Sequence, residues 1–164
     1  MHANVRLRDV EPGDLPVFFA HQRDPQALAM AAFQSRDRAA FDKHWAKLLA
    51  DDCNLKQTIV VASAVPAESQ DHVAGNIGSF MMEGKREVGY WIDRAYWGRG
   101  VATAALTAFL RLDSTRPLYA GVAKHNAASI RVLQKCGFEL IRSSGEEPKQ
   151  AEDTHVFLVL VPSE

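Results

Sequence analysis

A mixed α/β fold is what this 164-residue sequence predicts, on three observations. Apolar residues in the first third recur at helical spacing, many of them aromatic. After Asn54 the period changes to that of strands, through two runs joined by a tight turn. Beyond Asp93 a glycine-rich segment, and later an asparagine, each open a helix behind a strand. The order is strand, two helices, three meandering strands, helix, strand, helix, two strands. It lacks the regular alternation of a doubly wound sheet.

Val5, Leu7 and Val10, with charges between them, make the first strand, closed by Pro12-Gly13-Asp14. Asp14 is placed to cap a helix through about Gln22 that buries Leu15, Phe18 and Phe19. Asp24-Pro25 breaks it, and an apolar patch runs from Leu28 to Phe33. Phe41, Trp45, Leu48 and Leu49 fall on one face of an amphipathic helix from about Arg38 to Ala50. Thr58–Val65 is β-rich and Pro66–Asp71 reads as a loop. His72–Glu83 and Glu87–Asp93 form a hairpin around Gly84-Lys85. In its second strand Val88, Tyr90 and Ile92 face one side, Gly89 and Trp91 the other.

A helix follows the glycine turn to about Leu112, its buried stripe made of Ala102, Ala105, Leu106, Phe109 and Leu110. Leu118–Val122 is a short strand. Asn126 caps a helix ending at Cys136, with Gly137 as its left-handed stop. Phe138–Ile141 and His155–Val161 are closing strands, and the polar segment Ser143–Asp153 between them reads as a mobile loop.

The length fits one domain over residues 1–164 with a core of its own. A composition 47% hydrophobic and 24% charged is that of a soluble globular protein, and a net charge of −1 gives no footprint for nucleic acid or anionic membrane. No apolar run is long enough to span a bilayer. Met1-His2-Ala3-Asn4 lacks the regions of a signal peptide. Cys53 and Cys136 have neither metal-ligand spacing nor a disulfide framework, so no metal is expected and the cytoplasm is the expected compartment.

Chemistry concentrates at Tyr96-Trp97-Gly98-Arg99-Gly100-Val101-Ala102-Thr103. A tight turn opening a helix leaves backbone N–H groups unpaired at the positive end of the helix dipole, which suits a diphosphate. Ala102 lets phosphate approach the backbone and Thr103 offers a hydroxyl. The spacing fits neither the dinucleotide fingerprint nor a P-loop. By themselves the two glycines also fit a plain strand-to-helix turn.

The wider pattern is more specific. Glu87-Val-Gly-Tyr-Trp-Ile92, the glycine turn, Asn126-x-x-Ser129 and Lys135-Cys-Gly-Phe138, in that order, closely resemble the GNAT superfamily of acyl-CoA-dependent N-acetyltransferases. Within it they look most like the branch that acetylates N-terminal amines of ribosomal proteins. The motifs occupy residues 87 to 138 and the element order covers the chain. The resemblance implies a central, mostly antiparallel sheet of six or seven strands with one splayed pair, flanked by about four helices. It implies acetyl-CoA as cofactor and an amine as acceptor. Edge strands of such a sheet offer a route to a homodimer.

Residue by residue, the resemblance implies that the backbone of Trp91, Ile92 and Asp93 tracks the pantetheine arm, one N–H polarising the thioester carbonyl. It implies that Trp97, Gly98, Arg99, Gly100, Val101, Ala102 and Thr103 wrap the pyrophosphate. Trp97 stands where the family more often has Gln or Arg. Asn126 matches an asparagine near the cofactor's sulfur end, and Arg131 and Lys135 share a helix face that can meet phosphates. Many relatives carry a tyrosine at the position of Leu133, so Ser129 is the candidate proton donor to the leaving thiolate. Candidate bases are Glu87, Glu83 and His125, since a carboxylate can act through water and imidazole has a suitable pKa. Cys136, in a last helical turn where the dipole disfavours a thiolate, reads as a small core residue rather than a nucleophile.

Two functions stay open. One is direct attack of an amine on the thioester in a ternary complex, driven by positioning and oxyanion stabilisation. The other is a non-catalytic acyl-CoA-binding module of the same fold. Trp45, Phe41, Phe33, Met30, Met81 and Met82 are candidates for an acceptor pocket or simply core. Asp24, Glu146, Glu147, Glu152 and Asp153 would suit a cationic amine.

Overall fold

The computed structural model describes residues 4–63, 71–141 and 155–163. Its strands are β1 (Val5–Asp9), β2 (Leu55–Val61), β3 (His72–Met82), β4 (Lys85–Ile92), β5 (Leu118–Ala123), β6 (Glu139–Leu140) and β7 (His155–Leu160). The helices are α1 (Leu15–His21), α2 (Pro25–Ala31), α3 (Arg38–Ala50), α4 (Val101–Leu112) and α5 (Ala127–Lys135), with single 3-10 turns at Pro12–Asp14 and Arg94–Tyr96. The strands form one sheet in the order β1-β2-β3-β4-β5-β7-β6. Every neighbouring pair is antiparallel except β4 and β5. The expected mixed α/β architecture is therefore present, with five α-helices among the described residues rather than about four. The additional helix is α2, because Asp24 caps the segment through Gln26 N and places Pro25 in the first turn, where a missing N–H costs nothing.

The main core lies between the sheet and the helix pair α4 and α5. Ile59, Ile77, Val88, Ala120 and Leu158 meet Ala105, Leu106, Phe109 and Leu133 there. The stripe of α4 is shifted from the expected one: Val101 is buried, while Ala102 and Leu110 are only partly covered. Gly100 takes the N-cap at φ 75, so the helix begins at Val101 and its apolar face runs through 101, 105, 106 and 109. A second cluster, Phe18, Phe41 and Trp45, joins α1 to α3, and Leu49 is left exposed. It reaches the other face of the sheet, where Lys56 Nζ lies 5.6 Å from the ring centroids of both Trp45 and Phe80.

Asp14 is not a side-chain cap for α1. It is buried and accepts from Arg8 at 2.7 and 2.9 Å, from the Thr58 hydroxyl at 2.8 Å and from Glu11 N at 2.8 Å. Burial alone would raise its pKa, but these hydrogen bonds outweigh that and hold it below the ordinary carboxylate value. A carboxylate in the interior needs such partners, and here they tie the chain after β1 to β2.

The hairpin turn is Glu83-Gly84, one residue earlier than expected. Both have positive φ (51 and 78), and Met82 pairs with Lys85 across a two-residue loop whose twist suits the strands. β2 begins at Leu55 rather than Thr58, and β6 is shorter than Phe138–Ile141 because Phe138 turns into the core. The expected loops over 66–70 and 143–153 lie outside the described residues, as do Val65 and the acidic residues 146, 147, 152 and 153.

Candidate functional site

β4 and β5 are paired through one residue couple, Glu87 and Tyr119. Beyond it the strands part, and the gap becomes a cleft of about 480 Å³. Its floor is Tyr90, Trp91 and Ile92 on β4; α2 walls it with Ala27, Met30 and Ala31. The glycine turn and the start of α4 close one end, and α5 lines the other with Asn126, Ser129, Arg131 and Lys135 among others.

The turn has the geometry an anion needs. Gly98 and Gly100 have φ of 72 and 75, a region that favours glycine. No side chain caps α4, so the amides of its first turn lack intrahelical acceptors and face the cleft with Gly98, Gly100, Val101, Ala102 and Thr103. The Trp97 indole donates to Ile92 O at 3.0 Å, which bends the turn back over the end of β4. Arg99 lies over the Tyr96 ring, 5.8 Å to its centroid, and does not line the cleft.

The strand edge is more selective than the expectation that Trp91, Ile92 and Asp93 all face a ligand. Asp93 N donates to Ala74 O at 2.8 Å, on the β3 side. Successive residues of a strand direct their backbone groups to opposite neighbours. Trp91 therefore shares the β3 side with Asp93, while the N–H of Ile92 faces the gap. Its carbonyl agrees, since it accepts from Trp97. The Asp93 carboxylate caps the Arg94–Tyr96 turn through Ala95 N and lies 3.6 Å from His21 Nε2. Burial lowers the His21 pKa, with the Asp93 charge opposing it.

Asn126 caps α5 as expected, its side chain accepting from Ser129 N at 3.2 Å while it also lines the cleft. Ser129 faces the cleft too, and its Oγ is 2.6 Å from the Tyr90 hydroxyl. Two of the expected catalytic groups stand elsewhere. Glu87 is at the closed end of the splay, where burial and then the Glu83 charge raise its pKa against the Lys85 ammonium. His125 lies at the rim, in a neighbouring, shallower pocket with Gln26, Met30 and Arg94. Its Nε2 is 2.8 Å from Ala29 O, an atom that only accepts, so this nitrogen carries the proton and tethers α2.

Arg131 and Lys135 put positive charge on the cleft wall. Leu133 is wholly buried in the core. Met30 lines the cleft and Phe33 meets the Trp91 ring edge-on with centroids 5.7 Å apart, whereas Met81 and Met82 are exposed at the hairpin end. Asp24 pairs with Arg94 at 2.7 Å. Cys136 packs against α4, its Sγ 3.7 Å from the Thr107 hydroxyl. Among the described residues Trp91 Nε1 is buried without a hydrogen-bond partner. Among the described residues no His, Cys, Asp and Glu group is arranged to hold a metal, and no helix is long and apolar enough to cross a membrane.

Sequence reasoning missed Tyr90, which alternation placed only on the same side as Val88 and Ile92. The available signal was its hydroxyl, since a buried phenol needs a partner. It also missed Ala27 and Ala31 as part of the cleft wall, since neither carries chemistry of its own, although Met30 between them was an acceptor-pocket candidate.

Comparison with known proteins agrees with this geometry. A family model described as an acetyltransferase (GNAT) domain matches residues 4–139. A probable N-acetyltransferase of Bacillus subtilis is 32% identical over 108 residues, 58% of this chain; the match spans about three fifths (59%) of the length of that curated relative. An acetyltransferase from Agrobacterium tumefaciens superposes with a TM-score of 0.75 at 16% identity, covering 99% of this chain and 94% of the other. A spermidine N-acetyltransferase from Vibrio cholerae, solved in complex with CoA and spermine, superposes at 0.73 with 15% identity, covering 94% and 95%. Likeness at these identities is a likeness of fold.

Proposed function

Given that this chain belongs to the GNAT acetyltransferase family, we propose that it transfers an acetyl group from acetyl-CoA to a primary amine, on a small molecule or a protein N-terminus, by direct attack in a ternary complex. The observation that supports this most is the meeting, in one cleft, of an unpaired strand edge and an uncapped helix N-terminus. The first suits an amide-bearing arm and the second a diphosphate.

Acetyl-CoA supplies the acyl carbon as a thioester. On this reading the amides from Val101 to Thr103 hold the pyrophosphate, Arg131 and Lys135 add positive charge, and the Ile92 N–H is the donor available to the thioester carbonyl. The amine nitrogen forms the new C–N bond as the C–S bond breaks. The electron pair leaves with sulfur, where Ser129 donates its hydroxyl hydrogen bond. The amine's surplus proton passes to solvent, the departing thiolate takes one up from solvent, and the products are an N-acetyl amine and a free thiol. Glu87 and His125 stand outside the main cleft, so either acts on the amine only through intervening water; Glu87→Gln and His125→Ala, compared by pH profile, separate them. We place this activity in the cytoplasm, in one catalytic unit. A homodimer through β1 or β6, the two sheet edges, belongs to the same reading and is checked by sedimentation.

Calorimetric titration of acetyl-CoA, CoA and CoA lacking its 3′-phosphate into wild type and Gly100→Trp tests the cofactor site. Binding by wild type that the variant loses supports it; no binding by wild type overturns it. Thiol release that depends on an added amine then separates the enzyme from a non-catalytic acyl-CoA-binding module.

A further inference from the structure

We propose that Tyr90 is a positioning residue for Ser129: its phenol donates to Ser129 Oγ and so turns the serine's own proton toward the cleft. The proposal rests on the reading of Ser129 as the donor to the departing sulfur. It concerns two side chains that the sequence separates by 39 residues and the fold brings to 2.6 Å.

The hydrogen-bond inventory of the pair is small. Each hydroxyl has one proton and two acceptor sites. At 2.6 Å one of the two must donate to the other, and the proton left over goes to a third partner. If Ser129 donated, the Tyr90 proton would have the Ser129 carbonyl at 3.4 Å as its alternative partner, a long contact. If Tyr90 donates, its proton is well placed and the Ser129 proton is free for the cleft that both residues line. A serine in a helix otherwise tends to bond back to a carbonyl one turn earlier, which would withdraw that proton from the cleft. The phenol competes with that arrangement by filling one side of Oγ.

The surroundings support a fixed donor. The Tyr90 ring packs against the main core, so the oxygen moves little. Burial pushes the phenol up to about 12, against the opposing effect of the Ser129 hydrogen bond, so it keeps its proton at neutral pH. Ser129 is held from the other side by its backbone, through Asn126. The ionisable groups around the pair are the Cys136 thiol, which acts on Tyr90, and Arg131 and Lys135, which line the same cleft. The start of α5 adds its positive helix end. A sulfur leaving with its electron pair would meet an oriented hydroxyl in a positive field.

The test uses CoA itself and needs no acceptor. The thiol of bound CoA is titrated by its thiolate absorbance in wild type, Tyr90→Phe, Ser129→Ala and the double variant, with desulfo-CoA affinity measured in parallel. An oriented hydroxyl stabilises the thiolate, so Tyr90→Phe should raise the bound thiol's pKa by about one unit, roughly a tenfold loss of thiolate at neutral pH. Ser129→Ala should raise it at least as far, and the double variant no further than Ser129→Ala. Desulfo-CoA should bind all four proteins equally, because it lacks the sulfur. A Tyr90→Phe thiol pKa equal to wild type, beside a raised Ser129→Ala value, overturns the proposal and leaves the Ser129 reading intact. Effects that add in the double variant, or a fall in desulfo-CoA affinity in Tyr90→Phe, also overturn it, since they assign Tyr90 a role in packing alone. An unshifted Ser129→Ala sinks the reading of Ser129 and the proposal together. Failure of wild type to bind CoA sinks the cofactor site and the proposal with it.

Discussion

Replacing Asp113 by Asn should destabilise the protein by an amount that changes with pH in a defined window. The Asp113 carboxylate, just after α4, is buried and accepts from the Ser79 hydroxyl at 2.5 Å, from Arg86 Nε at 3.1 Å and from Thr115 N at 3.0 Å. Burial would raise its pKa, but those donors prevail and bring it down to about 2 from an ordinary 3.8. The difference corresponds to about 2 kcal/mol of stability from this ionisation. The folded pKa lies below the unfolded one. The contribution is therefore complete above about pH 4 and is lost as pH falls toward 2. Asn also leaves the Arg86 guanidinium, itself largely buried, without its counter-charge, so the total loss at pH 7 should reach about 3–5 kcal/mol. Urea unfolding of both proteins from pH 7 down to 2.5 measures it. The gap should stay constant from pH 7 to about 4.5 and narrow only below that. A gap that is constant to pH 2.5, or one that begins closing above pH 5, would refute the reasoning.

Lys56 shifts in the same direction for the opposite reason, because here the neutral form is the one the fold favours. Burial lowers its pKa from 10.5 to about 8, so the folded protein sheds this proton first and gains up to about 3 kcal/mol as pH rises from 8 to 10.5. The stability of wild type relative to Lys56→Met should rise through that interval and level off above it; a flat difference counts against the buried ammonium over Trp45 and Phe80. His125→Ala removes the hydrogen bond to Ala29 O and should cost about 1 kcal/mol, read as faster amide exchange in Pro25–Ala31 while β3 and β4 keep their protection. Unaltered protection in that helix would show that His125 does not hold it.

Much of the frame was legible because local chemistry and global packing agree. Asn126 followed by an apolar helix reads as a cap and is one, and Gly100 reads as the start of a helix because a positive φ before α4 favours glycine. Asp14 illustrates the limit. Its position before an apolar stripe has the form of a cap, and only tertiary pairing with Arg8 and Thr58 makes it a buried ion pair. The site divides in the same way. The turn and Asn126 carry their chemistry in sequence neighbours, whereas Tyr90 and Ser129 acquire theirs across 39 residues. Alternation put Tyr90 on one side with Val88 and Ile92, the side that packs in the main core; it held no information about what its oxygen would meet. Nor does a strand's composition tell how far it stays beside its neighbour. The splay became an expectation through resemblance, and it took the structure to show which of three backbone amides looks into the gap.

That gap has a consequence for how the protein keeps company with other chains. An unpaired strand edge normally sits on the outside of a sheet, where any passing strand can join it and begin an aggregate. Here the edge is internal. β5 and β7 stand across from it, α2 and α5 bracket it, and the Glu87–Tyr119 couple closes it at one end. A strand of another protein would bring side chains on both faces, whereas a slender chain of methylene and amide groups brings none. The same unsatisfied hydrogen bonds that would make an outer edge adhesive are thus admitted to one shape of visitor, and the sheet gains a binding edge without advertising one.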